Sequence, residues 1–216
     1  MLADRVRSSG FETVTITYTA TGSTAVDGDY SASHSIGTAA NNRRIIVAVG
    51  GSSTAATINS VTVDGAATSL VGTRLDTLNR CSIYVTTAAF TSGTSATIAV
   101  DWTSTGQNRT GIGVWAMYGG EAGTGTFNST INADPTQSIT TPVRGSAICY
   151  YMCLGGSGNP VLTGAFTQNF TGNVEGSAYH VGGTLNDSAG GGDSATVTTP
   201  GTDSDASLVM AAWGPG

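Results

Sequence analysis

The chain contains no lysine. All eight basic residues among its 216 are arginine, against 14 acidic residues, and the formal net charge is −6. Without lysine the chain cannot form a Schiff base, use a lysine general base or clamp phosphate as a P-loop does. A nucleic-acid partner is disfavoured as well, because neutralising phosphates requires a basic stripe that this sequence lacks. We therefore predict that the chain binds no nucleic acid.

Charge of either sign is scarce, at 10% of residues against about 25% in ordinary soluble domains. Hydroxyl side chains must therefore solvate most of the surface. Long apolar runs are also missing, since no segment approaches the roughly 18 apolar residues that span a bilayer. The N-terminal sequence MLADRVRSSGFE has no apolar stretch like that of a signal peptide. We expect a protein made in a cytoplasm, not secreted through a signal peptide and without a membrane partner.

Cysteine is rare, and an odd count of three does not suit a secreted disulfide framework. Cys149 and Cys153 lie on the same face of one predicted strand, about 13 Å apart, which is too far for a disulfide. Neither His34 nor His180 stands at a zinc-site spacing, and neither adjoins a nucleophile elbow or an acid motif. The sequence predicts core thiols, no cofactor and no enzymatic activity.

Short apolar and alternating runs indicate β-strands along most of the chain. Residues 13–19, TVTITYT, alternate between threonine and an apolar residue, as in a strand with one buried face. Clusters of Gly, Asp, Asn and Ser mark turns. The predicted strands are 13–19, 43–50, 57–63, 80–86, 95–102, 110–118, 145–154, 160–170, 174–181, 194–199 and 206–213. This spacing predicts an all-β fold, an antiparallel, jelly-roll-like β-sandwich.

Two stretches about a hundred residues apart follow one plan. The first, from Arg43, reads RRIIVAVGGSS, NSVTVDG, CSIYV, SATIAV and GVWAMYGG. The second, from Gly145, reads GSAICYYMCLGGSG, PVLTGAF, SAYHV, SATVTT and SLVMAAWGPG. Aligning these strings pairs Tyr84 with Tyr179 and pairs Tyr118 with Trp213. Such self-similarity indicates duplicated β-architecture.

The repeat bears on domain organisation. We expect an N-terminal arm over 1–10 and a single β-sandwich over 11–216. Its halves, about 11–120 and 137–216, would be joined by a linker over 121–136. A half on its own would expose sheet edges and carry a thin core, although two small domains stay an alternative.

The first half also has a familiar order of strings. NNRRIIVAV is followed by INSVTVDGAATSLVG, with a V-T-x-x-G-x-x-x-x-x-V hairpin from Val61 to Val71, and then by CSIYV and TSGTSATIAVDW. Over about 35–120 this order resembles a β-sandwich or jelly-roll module of bacteriophage virion structural proteins, and the second half resembles it loosely. The resemblance implies a capsid decoration, tail or fibre component located in the virion, with other virion proteins as partners. It also implies a homo-oligomer such as a trimer, and it carries over no catalytic positions.

Basic residues supply the candidate partner contacts. Arg5 and Arg7 lie in the N-terminal arm, which we expect to dock on a partner shell, with a frayed terminus as the alternative. Arg43 and Arg44 form the only adjacent basic pair and begin a predicted strand, where a guanidinium is expected to cover a sheet edge.

A carbohydrate-binding or adhesion module that recognises a host surface is the alternative function, because aromatic side chains in the loops of a β-sandwich can stack on sugar rings. Trp102, Phe166 and Phe170 share the parity of core residues on predicted strands. Phe127, in the predicted linker, is therefore the candidate glycan contact.

Calcium is the one metal for which the sequence offers ligands. Asp27 with Asp29 and Asp203 with Asp205 form Asp-x-Asp pairs in predicted loops, where hard oxygen ligands could converge. Neither pair continues into an EF-hand pattern, and Asx turns account for both pairs equally well. We predict no metal site.

Overall fold

The structure is a computed structural model that describes residues 12–26, 28–52, 57–103, 109–121, 123, 125–186, 188–201 and 205–216. These residues form sixteen β-strands: β1 (Thr15–Thr24), β2 (Tyr30–Ser35), β3 (Arg44–Ser52), β4 (Ile58–Val63), β5 (Ala66–Leu75), β6 (Asn79–Thr86), β7 (Ser95–Trp102), β8 (Thr110–Tyr118), β9 (Thr126–Ile131), β10 (Thr136–Thr141), β11 (Ser146–Leu154), β12 (Val161–Gly164), β13 (Thr167–Glu175), β14 (Ala178–Leu185), β15 (Gly191–Thr198) and β16 (Asp205–Trp213). Within the described ranges, no helix is long and apolar enough to cross a membrane.

The first eight strands and the last eight share one topology. In the first half the eight strands form one sheet, β1-β8-β3-β6-β5-β4-β7-β2, in which a two-residue pairing between β5 and β4 joins a five-stranded layer, β1-β8-β3-β6-β5, to a three-stranded layer, β4-β7-β2. In the second half the orders are β9-β16-β11-β14-β13 and β12-β15-β10. Adding eight to each strand number of the first half therefore gives the second half. All the ladders are antiparallel. The predicted all-β, jelly-roll-like fold in two similar halves is confirmed.

The sheets stack in four layers, with the two five-stranded sheets in the middle. On β3, Ile45, Val47 and Val49 pack toward β4 and β7, whereas Ile46 and Ala48 pack toward the second half. The apolar residues of β11 and β16 divide in the same way. The described residues thus form one core inside each half and a third core between the halves.

The middle sheets meet in a reciprocal arrangement, in which β1 lies near β13 and β5 lies near β9. Tyr18 on β1 stacks on Phe170 of β13, with ring centroids 5.4 Å apart. Phe127 on β9 holds the same position in the ladder between β9 and β16 as Tyr18 holds in the ladder between β1 and β8. Phe127 is therefore the counterpart of Tyr18 in the second half. The Phe127 ring occupies the place that a side chain at Gly72 of β5 would take. The halves are therefore related by an approximate two-fold axis.

The division into halves differs from the single sandwich expected from the sequence. Each half closes its own pair of layers, because its eight strands supply both. The halves are joined through the core between their middle sheets. The segment 121–136, expected to be a linker, contains β9, an edge strand of the second middle sheet. The second half therefore begins at about residue 126 instead of 137.

Predicted strands with an apolar face are present, most of them to within a few residues of the expected bounds. The run predicted over 160–170 is divided into β12 and β13. The strands β2, β9 and β10 were not predicted; they are rich in Ser and Thr and have few buried residues. A strand at the end of a sheet needs no strong apolar pattern, so these three gave no signal. The strand β5 was predicted only as the second arm of the hairpin from Val61 to Val71.

Asn186 links the two halves at the free edge of β1. Its side-chain carbonyl accepts a hydrogen bond from the Ile16 N–H at 2.7 Å, and its amide donates to the Ile16 carbonyl at 2.8 Å. The Ser146 hydroxyl also donates to the Val14 carbonyl at 2.6 Å. The Asn186 side chain thus replaces a neighbouring strand at this position and protects part of the edge from other partners.

We predict that Asn186→Ala lowers the free energy of unfolding by about 1–2 kcal/mol, because the Ile16 N–H and carbonyl both lose their partner. Urea denaturation measures the change. The control is Asn128→Ala, since Asn128 is also exposed but bonds within its own half, to Ser138 and Ser129. Equal losses in the two variants would contradict a linking role for Asn186.

Candidate docking surface

Six strands lie at the ends of the sheets, and almost none of their residues is charged. β1, β2, β9, β10 and β12 contain no Asp, Glu, Lys or Arg, and β13 contains only Glu175, at its last position. Proteins usually protect the unpaired backbone of an edge strand with lysine, other charges or proline. Here hydroxyl side chains take those places. Edges that the other half does not cover are therefore chemically open to another strand.

A cleft separates β4 from β5, the two strands of one hairpin. They pair only where Thr62 faces Ala67 and Val63 faces Ala66. The turn between them consists of Asp64 and Gly65, whose φ angles of 48 and 77° suit a type I′ turn. Beyond the turn β5 continues along β6, whereas β4 stays with β7. The two strands therefore diverge around a cavity of about 270 Å³.

The cleft combines strand backbone, hydroxyl groups and one exposed apolar side chain. Leu70 on β5 is 47% exposed, and Tyr84 on β6 is buried. Burial raises the pKa of Tyr84 to about 12, so its phenol is neutral near pH 7 and can both donate and accept a hydrogen bond. Near the turn, the Thr68 hydroxyl donates to the Val61 carbonyl at 2.7 Å. Away from the turn, no described strand pairs with β4 on this side.

The second half closes the same position with its own side chain. Tyr84 holds the same position in the ladder between β3 and β6 as Gly183 holds in the ladder between β11 and β14. Leu70 stands opposite Tyr84, Gln168 stands opposite Gly183, and a one-residue register shift follows both. The Gln168 side-chain carbonyl accepts a hydrogen bond from the Leu162 N–H of β12 at 2.8 Å. An amide thus bridges the second half where the first half has an exposed leucine.

Arg43 is not available to a partner, contrary to its selection from the sequence. Its side chain is fully buried. Its guanidinium donates to the carbonyls of Phe90 at 3.0 Å, Gly37 at 2.6 Å and Ser92 at 2.6 Å, and more weakly to the Ile36 carbonyl at 3.3 Å. Arg43 therefore connects the loop after β2 to the loop before β7.

Arg44 is the more accessible member of the basic pair. It is half-buried, and its guanidinium donates to the carbonyls of Thr86 and Thr87, both at 2.8 Å. The sequence interpretation, in which a guanidinium covers a sheet edge, is wrong for Arg44, because β3 lies between β8 and β6 inside the sheet and the guanidinium contacts the end of β6. Arg5 and Arg7, the candidate contacts of the N-terminal arm, lie outside the described residues.

Phe127 does not form the exposed glycan platform that its place in the predicted linker suggested. It is half-buried, and its ring packs over Gly72 against the core between the halves. Trp102, Phe166 and Phe170 are buried, as their parity predicted. None of these four aromatic residues offers a free ring face for stacking on a sugar.

The histidines and cysteines are used in packing. His180 is 3% exposed, its Nδ1 lies 3.2 Å from the Tyr150 hydroxyl, and burial lowers its pKa to about 4. His34 contacts the Tyr30 hydroxyl through Nε2 at 2.7 Å, and partial burial lowers its pKa. The three cysteines are buried. Burial raises the pKa of the Cys81 and Cys149 thiols, which disfavours the reactive thiolate.

The acidic pairs considered for calcium are only partly described. Asp29 accepts a hydrogen bond from the Trp102 N–H at 2.8 Å, and Asp205 is buried at the start of β16. Asp27 and Asp203 lie outside the described residues. Within the part of the chain that the structure describes, no three His, Cys, Asp or Glu side chains are grouped so that they could hold a metal ion.

Comparison of the chain with protein-family models, with curated proteins and with solved structures finds no match. The resemblance to phage virion modules therefore stays a prediction from the sequence.

We predict that Arg43→Met lowers the free energy of unfolding by on the order of 3 kcal/mol or more, because four backbone carbonyls lose a charged donor. Thermal and urea denaturation measure the loss. Arg44→Met is the control, and for this half-exposed position we expect about 1 kcal/mol or less. Similar losses at the two positions would show that the Arg43 contacts contribute little.

His180 should make stability depend on pH. Its pKa in the folded protein is about 4, below the unfolded value of about 6.5, so the unfolded chain binds the proton first as pH falls. The contribution of His180 is present in full above pH 6.5 and is lost as pH falls to about 4. The total loss is about 3 kcal/mol.

Urea denaturation between pH 7 and pH 4 measures this dependence in the wild type, in His180→Gln and in the half-buried control His34→Gln. We expect His180→Gln to flatten the profile more than His34→Gln does. Parallel profiles for the wild type and His180→Gln would contradict the assignment.

Proposed function

We propose that this protein is a non-enzymatic structural component of a virion, a phage capsid decoration or another surface-exposed subunit, that associates through its sheet edges. The observation that carries the proposal is the chemistry of the six edge strands. Five of them have no charged residue, and the sixth has one at its end. A free monomer with such edges would be prone to pair with other chains, whereas a subunit of an assembly uses that pairing.

The low charge of the chain supports the same role. Only 10% of the residues are charged, which gives a freely diffusing protein little protection against association. A subunit whose surface is partly covered by neighbours needs less protection. Other virion proteins are the proposed partners, the proposed location is the virion after synthesis in a host cytoplasm, and the proposed state is a homo-oligomer such as a trimer.

The described side chains give more support to a structural role than to enzymatic activity or glycan recognition. Both histidines and all three cysteines are engaged in packed surroundings instead of facing a substrate cavity. Glycan recognition loses its candidate contact, because Phe127 packs against the core between the halves.

Mass spectrometry of gradient-purified virions whose genome encodes this chain tests the role. We expect the chain to be present in a fixed copy number relative to the major capsid protein, and to be removed from intact particles by mild denaturant before the shell opens. A particle preparation that lacks the chain, from cells that express it, would overturn the proposal.

A further inference from the structure

The cleft between β4 and β5 differs from its counterpart in a way that indicates what it binds. Equivalent strands, the same ladder register and the same register shift surround both positions. In the second half the Gln168 amide pairs with the backbone of β12. In the first half Leu70 stands at that position, and its exposed side chain cannot form a hydrogen bond. The closed copy shows that this position accepts an amide, which is the group that a peptide backbone supplies.

The lining of the cleft favours a strand as its occupant. The edge of β4 forms one wall and β5 forms the opposite wall. Leu70 at the rim offers apolar contact area. A strand added beside β4 would pair through its backbone and place alternate side chains toward the cleft.

The chain itself provides such a strand at the other end of the same layer. This layer runs β4-β7-β2, and β2, with the sequence YSASHS, has no charged residue. Among the described strands, β2 pairs only with β7, through one of its two edges. If β2 of one copy pairs beside β4 of another, the layer continues from copy to copy. Such a contact joins two different surfaces, and repeating it builds rings or extended arrays.

We propose that the β4–β5 cleft binds the β2 edge of a second copy of this chain. The inference rests on the proposed function, since it identifies which edges join the subunits. The contact is strand addition, in which backbone hydrogen bonds form beside β4 and Leu70 is covered. Because the two surfaces differ, each copy can bind one neighbour through its cleft and another neighbour through its β2 edge.

Leu70→Gln tests the cleft side of the contact by giving the first half the residue that closes the second. Leu75→Gln is the matched control, because Leu75 lies on the same strand, is 46% exposed and lies outside the cleft. Sedimentation velocity over a range of protein concentrations measures self-association. We expect the wild type and Leu75→Gln to associate alike, and Leu70→Gln to associate at least tenfold more weakly without loss of thermal stability.

Ser33→Lys tests the β2 side, since a lysine on an edge strand opposes strand addition. Ser33 is exposed on β2, and Thr97, exposed on the neighbouring β7, provides the control Thr97→Lys. We expect Ser33→Lys to weaken association as Leu70→Gln does, and Thr97→Lys to leave it unchanged. Amide hydrogen exchange on the wild type should show the Ile58–Ser60 amides becoming protected as concentration rises.

Several outcomes would overturn the inference. These are a wild type that stays monomeric at all concentrations, self-association that Leu70→Gln leaves unchanged, and a glycan array bound by the wild type and lost only in Leu70→Gln. These outcomes are separate from a failure of the proposed function. If virions contain the chain but Leu70→Gln associates normally, the subunit role holds and the cleft assignment fails. If virions lack the chain, the subunit role fails whatever the variants do.

Discussion

The apolar contact between the two five-stranded sheets is the constraint on which the rest of the structure depends. One face of each five-stranded sheet is covered inside its own half, and this contact buries the opposite face. The strands β3, β8, β11 and β16 are therefore buried along almost their whole length. A half without its partner would expose Ile46, Trp115, Ile148 and Val209 to water. Each of the two similar halves therefore depends on the other to keep one face of its five-stranded sheet out of water.

This double burial also determines what the sequence could show. Strands buried on both faces have continuous apolar runs, and the strands β3, β8, β11 and β16 were predicted nearly to the residue. Strands at the sides of the sheets bury little, and β2, β9 and β10 gave no signal. The same continuity misaligned the repeat, because an apolar run looks similar at every offset. The sequence strings pair Tyr84 with Tyr179, whereas the ladders make Gly183 its equivalent.

The candidate docking surface was less accessible to prediction than the fold. The Asp64–Gly65 turn is a readable hairpin signal, but the sequence does not show that β5 leaves β4 soon after it. The difference between Leu70 and Gln168 has meaning only once both are known to stand beside the same register shift. Arg43 and Phe127 were misassigned because the residues that surround them come from distant parts of the chain.

The two copies have diverged where they meet, and this divergence allows one of them to keep an open surface. Phe170 stands where the first half has Gly72, and His180 stands where it has Cys81. Large residues of one sheet therefore lie against small ones of the other, as Phe127 does over Gly72. Since the interface no longer requires identical halves, other positions can differ as well. The hydrogen bond of Gln168 stabilises the second half, and the first half, held in place by the shared core, can leave the equivalent backbone for another chain.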